Sequence, residues 1–74
     1  MTEENINPYQ VTVTFEPANK TISMPRPRSV TQLLNRLNLK PGQVLVIRDG
    51  GLLTPDRGIL PGDNITLRNV TSAG

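Results

Sequence analysis

The sequence predicts an α+β domain, a small β-sheet packed on one short helix, and three observations carry that expectation. Val11, Val13 and Phe15 alternate with Thr12, Thr14 and Glu16, the period-two pattern of a strand with one buried face. Val30, Leu33, Leu34 and Leu37 recur at i, i+3, i+4 and i+7 and so line one side of a helix. Ile65 and Leu67 alternate with Thr66 and Arg68 in a last strand. With 74 residues and no internal repeat the chain is read as one domain, and a domain of that size buries only about 60% of its unfolded-chain surface.

Residues Met1 to Pro8 hold a single Ile6 and no periodicity, and positions 1–9 are read as a flexible lead. The ordered domain is expected over 10–69. After the first strand, Pro17-Ala18-Asn19-Lys20 supplies turn chemistry, and Ile22 and Met24 resume the alternation, completing a β-hairpin. Pro25-Arg26-Pro27-Arg28 is read as a connection, because proline lacks a ladder donor and biases the residue before it toward extended backbone. Ser29 precedes Gln32 by three residues, the spacing of a capping box, and opens a helix over about Val30 to Leu37. Its expected stop near Asn38 rests on Leu39-Lys40-Pro41-Gly42, a helix-ending proline beside a permissive glycine.

Val44-Leu45-Val46-Ile47 is short, apolar and mostly β-branched, and is read as a buried strand central in the sheet. Asp49-Gly50-Gly51 provides a tight hairpin turn into a short strand at Leu52 and Leu53. Residues 54–58 form a loop, Ile59 and Leu60 return to the core, and Pro61-Gly62-Asp63 makes the turn before the last strand. The expected core is Val11, Val13, Phe15, Ile22, Met24, Leu33, Leu34, Leu37, Leu60, Ile65 and Leu67, with either Val44 and Val46 or Leu45 and Ile47 from the central run. Residues 70–74 follow as a flexible tail.

Composition narrows the chemistry. The chain has no Cys, His or Trp, so thiol redox work, imidazole bases and most transition-metal sites are excluded. Glu16, Asp49, Asp56 and Asp63 are spread over strand ends and turns rather than paired, which makes a self-contained enzyme improbable. Net charge is +2, and the basic residues are too dispersed in sequence to form a run. One Tyr and one Phe provide no stacking platform, so direct nucleic-acid binding is not expected. No apolar stretch approaches the roughly 20 residues that span a bilayer, no signal peptide is evident, and the expected compartment is the cytoplasm.

Strand, strand, helix, strand, short strand, strand is the order of the β-grasp or ubiquitin-like fold, a mixed four- to five-stranded sheet wrapped around one short helix. Within it the Val44 to Ile47 strand, the Asp49-Gly50-Gly51 turn, the Leu60-Pro61-Gly62-Asp63 turn, the Ile65 to Arg68 strand and a tail ending in Gly74 resemble the second half of ThiS and MoaD sulfur carriers. The resemblance covers roughly Gln10 to Gly74. It implies a carrier that is not itself an enzyme. An E1-like adenylating partner would use ATP to activate the Gly74 carboxylate, sulfur would convert the adenylate to a thiocarboxylate, and a downstream sulfur-accepting enzyme would receive it. In those carriers the tail ends in Gly-Gly, whereas here Ala73 precedes Gly74 and adds one methyl.

On this reading the partner receives the tail Thr71, Ser72, Ala73 and Gly74, and Arg48 and Arg68, expected near strand ends on the solvent side, are candidate docking residues. Two other outcomes share the fold. A ubiquitin-like modifier would join Gly74 to a lysine amine, with Lys20 and Lys40 as possible acceptors on the chain itself. A non-covalent interaction module would make no use of the tail.

Overall fold

The computed structural model describes residues 9–70. Apart from Tyr9 and Val70, the expected lead and tail therefore lie outside the described residues. Five strands form one mixed sheet: β1 (Gln10–Glu16), β2 (Lys20–Pro25), β3 (Val44–Arg48), β4 (Gly51–Leu52) and β5 (Asn64–Asn69), with helix α1 (Val30–Arg36) between β2 and β3. Their order across the sheet is β2-β1-β5-β3-β4. β1 runs antiparallel to β2 and parallel to β5, and β3 runs antiparallel to both β5 and β4. The central strand is thus β5, not the β3 run that its apolar density suggested. The last strand slots between β1 and β3 and satisfies the ladder groups of both.

Register fixes which side chains face α1. Val13 pairs with Ile22 and Ile65, and Phe15 and Val46 each pair with Leu67. This inward face meets Val30, Leu33 and Leu34 in a core that also takes Val11, Met24 and Ile59. Phe15, Ile22, Leu37 and Val44 pack against it half-buried. Between the two pairs left open by the sequence, Val44 and Val46 turn inward. Ile59 is 1% exposed while Leu60 is 60% exposed, so the expected core role of Leu60 belongs to its neighbour. The reason is the turn that starts at Leu60, which swings that side chain outward. Pro27, read as mere connection, is fully buried.

The ends of α1 show how local chemistry sets it. Ser29 is the N-cap, its hydroxyl accepting the Gln32 N–H at 3.2 Å. Gln32 reaches back to the Arg28 N–H at 2.9 Å rather than to that of Ser29, one residue beyond the usual capping box. The remaining free donors are met by the loop over 54–58: Val30 N–H bonds to the Arg57 carbonyl at 3.0 Å and Thr31 N–H to that of Pro55 at 3.1 Å. At the other end Leu37 is the C-cap and Asn38 takes a left-handed φ of 62°. The bonds Asn38 N–H to Asn35 carbonyl and Leu39 N–H to Leu34 carbonyl complete a Schellman motif. Asn38 therefore ends the helix, and Pro41–Gln43 forms a separate 3-10 turn.

Both turns flanking β3 and β5 have the geometry that their glycines permit. Asp49 and Gly50 take φ of 53° and 78° between the paired residues Arg48 and Gly51, a two-residue hairpin turn of type I′. Gly62, at φ 81°, occupies the third position of the Leu60–Asp63 turn, which closes through Asp63 N–H to the Leu60 carbonyl at 3.1 Å. The β4 strand is only Gly51–Leu52, although Leu53 N–H still bonds to the Val46 carbonyl at 2.8 Å.

Candidate functional site

The candidate site is the sheet surface that α1 leaves uncovered, together with the point where the chain leaves β5. Alternation and register place Thr12, Thr14 and Glu16 of β1 on this open face, with Thr66 and Arg68 of β5, Leu45 and Ile47 of β3 and Leu52 of β4. The ladder between β3 and β5 continues one residue past β5, where Val70 N–H bonds to the Gln43 carbonyl at 3.0 Å. That bond holds the last described residue on the sheet. Val70 is 44% exposed and Leu52 66% exposed, and Leu45 and Ile47 are half-buried. An apolar strip thus runs across β3 and β4 and adjoins the exit from β5.

The sequence reading missed this strip. The signal was present in Val44-Leu45-Val46-Ile47, because four apolar residues in a row supply both faces of a strand while α1 can cover only one.

On the other side of the exit, the inward face carries an open cleft of about 280 Å³ lined by Phe15, Pro17, Leu39, Val44 and Leu67, with Glu16, Gln43 and Asn69 among its polar neighbours. The end of β5 is consequently flanked by apolar surface on both faces.

The two candidate docking arginines are not on one surface. Arg68 lies on the open face and its Nε bonds to Glu16 Oε1 at 3.0 Å, the two residues being directly paired across β1 and β5. Arg48 has the parity of Val44 and Val46, so it belongs to the inward side at the end of β3. There it meets Asp63 Oδ2 at 2.8 Å and the Gly58 carbonyl at 3.3 Å. The expectation that both stand on the solvent side is corrected for Arg48, which is turned into the structure. Thr71, Ser72, Ala73 and Gly74 lie outside the described residues.

Among the described residues, no three His, Cys, Asp or Glu side chains gather into a group that could hold a metal ion. The Asp56 carboxyl is held below its ordinary pKa chiefly by a hydrogen bond from the Thr54 hydroxyl. It sits in the loop that caps α1, away from the exit of β5.

With this geometry in place, the solved structures provide a match. A computationally designed protein based on the template of human erythrocytic ubiquitin, determined by NMR in solution, superposes with a TM-score of 0.66 and shares 26% sequence identity, over 88% of this chain and 95% of that one. The fold is a ubiquitin-like β-grasp. No protein-family model matches the sequence, and no curated protein does. In this ubiquitin-like domain the candidate surface comprises the open face of the sheet and Val70, where the chain leaves the central strand. Among the described residues no helix is long and apolar enough to cross a membrane.

Proposed function

We propose that this ubiquitin-like domain is a sulfur carrier, activated at the carboxylate of Gly74 by an adenylating partner. The observation that supports the reading is the placement of β5. It is the central strand, held on both sides by β1 and β3, and it releases the chain at Val70 beside the apolar strip of Leu45, Ile47 and Leu52. A partner docked on that strip receives the residues that follow. Thr71 to Ala73 are then the inserted segment and Gly74 is the reacting residue, which takes Gly74 as the terminus of the working protein.

The chemistry is an acyl activation. A Gly74 carboxylate oxygen attacks the α-phosphorus of ATP held by the partner, and pyrophosphate leaves. Hydrosulfide supplied by a sulfur-donating partner then attacks the acyl carbon, the bond to the AMP oxygen breaks and AMP departs, leaving a thiocarboxylate. The carrier has no Cys and no His, so the sulfur donor and the proton-transfer groups belong to the partner enzymes. Ala73 adds a methyl next to the reacting glycine, and a rigid channel shaped for glycine would lose about 1 to 3 kcal/mol on accommodating it. The adenylating partner of this chain is therefore expected to have a wider channel at that position.

A ubiquitin-like modifier shares the adenylate and differs in the last step, where a lysine amine displaces AMP and an isopeptide bond forms. The likeness to a protein designed on ubiquitin favours it as the second reading. Intact mass of the protein from its native cells, isolated without added thiols, separates the outcomes. Exchange of one terminal oxygen for sulfur establishes the carrier. Adducts of Gly74 on lysines of other proteins establish the modifier, and an unaltered terminus with no adducts refutes both.

A further inference from the structure

The peptide group between Ile59 and Leu60 holds two arginines in place. Its carbonyl accepts Arg26 Nη1 at 2.8 Å, and its N–H donates at 2.9 Å to Asp63 Oδ2, which also accepts Arg48 Nη1 at 2.8 Å. Arg48 Nη1 donates again to the Gly58 carbonyl at 3.3 Å. Followed through these bonds, the two Nη1 atoms lie within about 11 Å of each other. Arg26 comes from the connection before α1 and Arg48 from the end of β3, so only the fold brings them together.

Both guanidiniums are anchored through Nη1 and make no other side-chain hydrogen bond among the described residues. Each therefore keeps its Nε and Nη2 donors, the edge of the fork that grips a carboxylate with two parallel bonds. None of these nitrogens is buried without a partner, so they reach solvent. Leu60, on the same peptide group, is 60% exposed. The neighbouring carboxylates do not use the free edges. Asp63 is shared between Arg48 Nη1 and the Leu60 N–H, Asp56 accepts the Thr54 hydroxyl at 2.6 Å, and Asp49 forms no ion pair with either guanidinium.

We infer that Arg26, Arg48 and Leu60 form a docking site for an acidic segment of a partner protein, which sets carboxylates on the two free guanidinium edges and an apolar side chain on Leu60. Because backbone carbonyls already hold both guanidiniums, less side-chain freedom is lost on binding than at an unanchored arginine. Residues two apart on one side of an extended segment are separated by about 6.6 Å, so a Glu-x-Glu spacing lets both carboxylates engage. Leu60 favours a protein over RNA, since an apolar side chain gains by burial against another and offers nothing to a phosphate backbone. The arginine pair lies at the start of β5, roughly 20 Å from Val70 at its other end. The site does not involve Gly74, so it stands or falls separately from the carrier reading.

The test is a titration of the ¹⁵N-labelled full chain with the capped peptide Leu-Thr-Glu-Thr-Glu-Thr-Leu, followed by NMR at the backbone amides and the arginine Nε–H signals. Saturable shifts of the Arg26 and Arg48 Nε–H and of the Leu60 amide are expected, weakening as salt is raised. Arg26→Lys keeps the charge but loses the paired donors and should weaken binding by about tenfold. Leu60→Ala should weaken it by about fivefold, and the amide spectrum of each variant reports that it is folded. The site is overturned if the peptide with Gln in place of Glu binds equally well, if neither substitution changes the affinity, if the shifts fall on another surface, or if none occurs. It is also overturned if a single-stranded RNA oligonucleotide, and not the peptide, shifts these signals. Movement of both Nε–H signals by Glu3→Gln with Glu4→Gln, as far as the peptide moves them, would overturn it too, by making the chain's own carboxylates the occupant.

Discussion

The Arg48 guanidinium and the Asp63 carboxylate meet at 2.8 Å, and the same Asp63 oxygen accepts the backbone N–H of Leu60 at 2.9 Å. One oxygen thus ties the end of β3 to the turn that launches β5. The Asp63 carbonyl extends the tie to β1 by accepting the Thr12 N–H at 3.0 Å. Three strands converge on one residue.

Removing that carboxylate should be costly. Asp63→Ala leaves a partly buried guanidinium and the Leu60 N–H without their acceptor, and is expected to lower stability by about 1 to 3 kcal/mol. Asp63→Asn keeps an acceptor for Leu60 and should cost less. Urea unfolding of both variants checks the order. Equal midpoints for Asp63→Asn and Asp63→Ala would show that the ion pair, and not the turn cap, carries the effect.

Ile59 and Leu60 provide a sharper contrast. Ile59→Ala removes a side chain packed against Val30 and its neighbours and should cost about 2 to 5 kcal/mol, as should Leu34→Ala. Leu60→Ala, at an exposed position, should change stability by only about 0.5 kcal/mol or less. Thermal melts of the three variants decide it. A large loss at Leu60 would mean that the turn holds its side chain inward in solution.

That contrast also shows what the sequence makes legible. The alternation in β1, β2 and β5 and the helical spacing from Val30 to Leu37 record burial directly, and the ubiquitin-like fold follows from them together with the Asp-Gly and Gly-Asp turns. Ile59 and Leu60 are adjacent apolar residues at the mouth of a turn, where no period operates, so nothing local says which one faces inward. The central place of β5 rests on pairing with β1 across some fifty positions, which no local signal encodes. The open-face strip was readable in principle from the unbroken apolar run of β3.

Gly62 and Gly42 separate backbone strain from crowding. A Cβ added at either residue meets nothing within 4 Å, yet Gly62 alone of the two has a positive φ, of 81°. Gly62→Ala should therefore cost about 1 to 2 kcal/mol from the left-handed conformation alone. Gly42→Ala should be neutral or stabilising by about 0.4 to 1 kcal/mol, through the lower entropy of the unfolded chain. Paired urea titrations test this, and equal losses at both positions would require a contact at Gly42 that the geometry does not show.

The acid response of the loop over 54–58 follows from Asp56. Its pKa is lowered first by the Thr54 hydroxyl, donating at 2.6 Å, and then by its own backbone N–H, against an opposing effect of burial, with the charge of Arg57 lowering it least. A carboxylate whose folded pKa is depressed contributes stability that is fully present above its unfolded value and is lost as pH falls through the folded one. Because Asp56 is fully exposed, the global effect is screened by solvent, and the response should be local. Carboxyl-carbon NMR should find Asp56 titrating below its ordinary range, and Thr54→Val should raise that midpoint toward the ordinary value. The loop carbonyls of Pro55 and Arg57 cap the first turn of α1, so the Val30 and Thr31 amides should exchange faster at acid pH, and begin to do so at higher pH in Thr54→Val. An unchanged Asp56 midpoint in that variant would remove the hydroxyl as the cause and leave the backbone donor as the dominant partner.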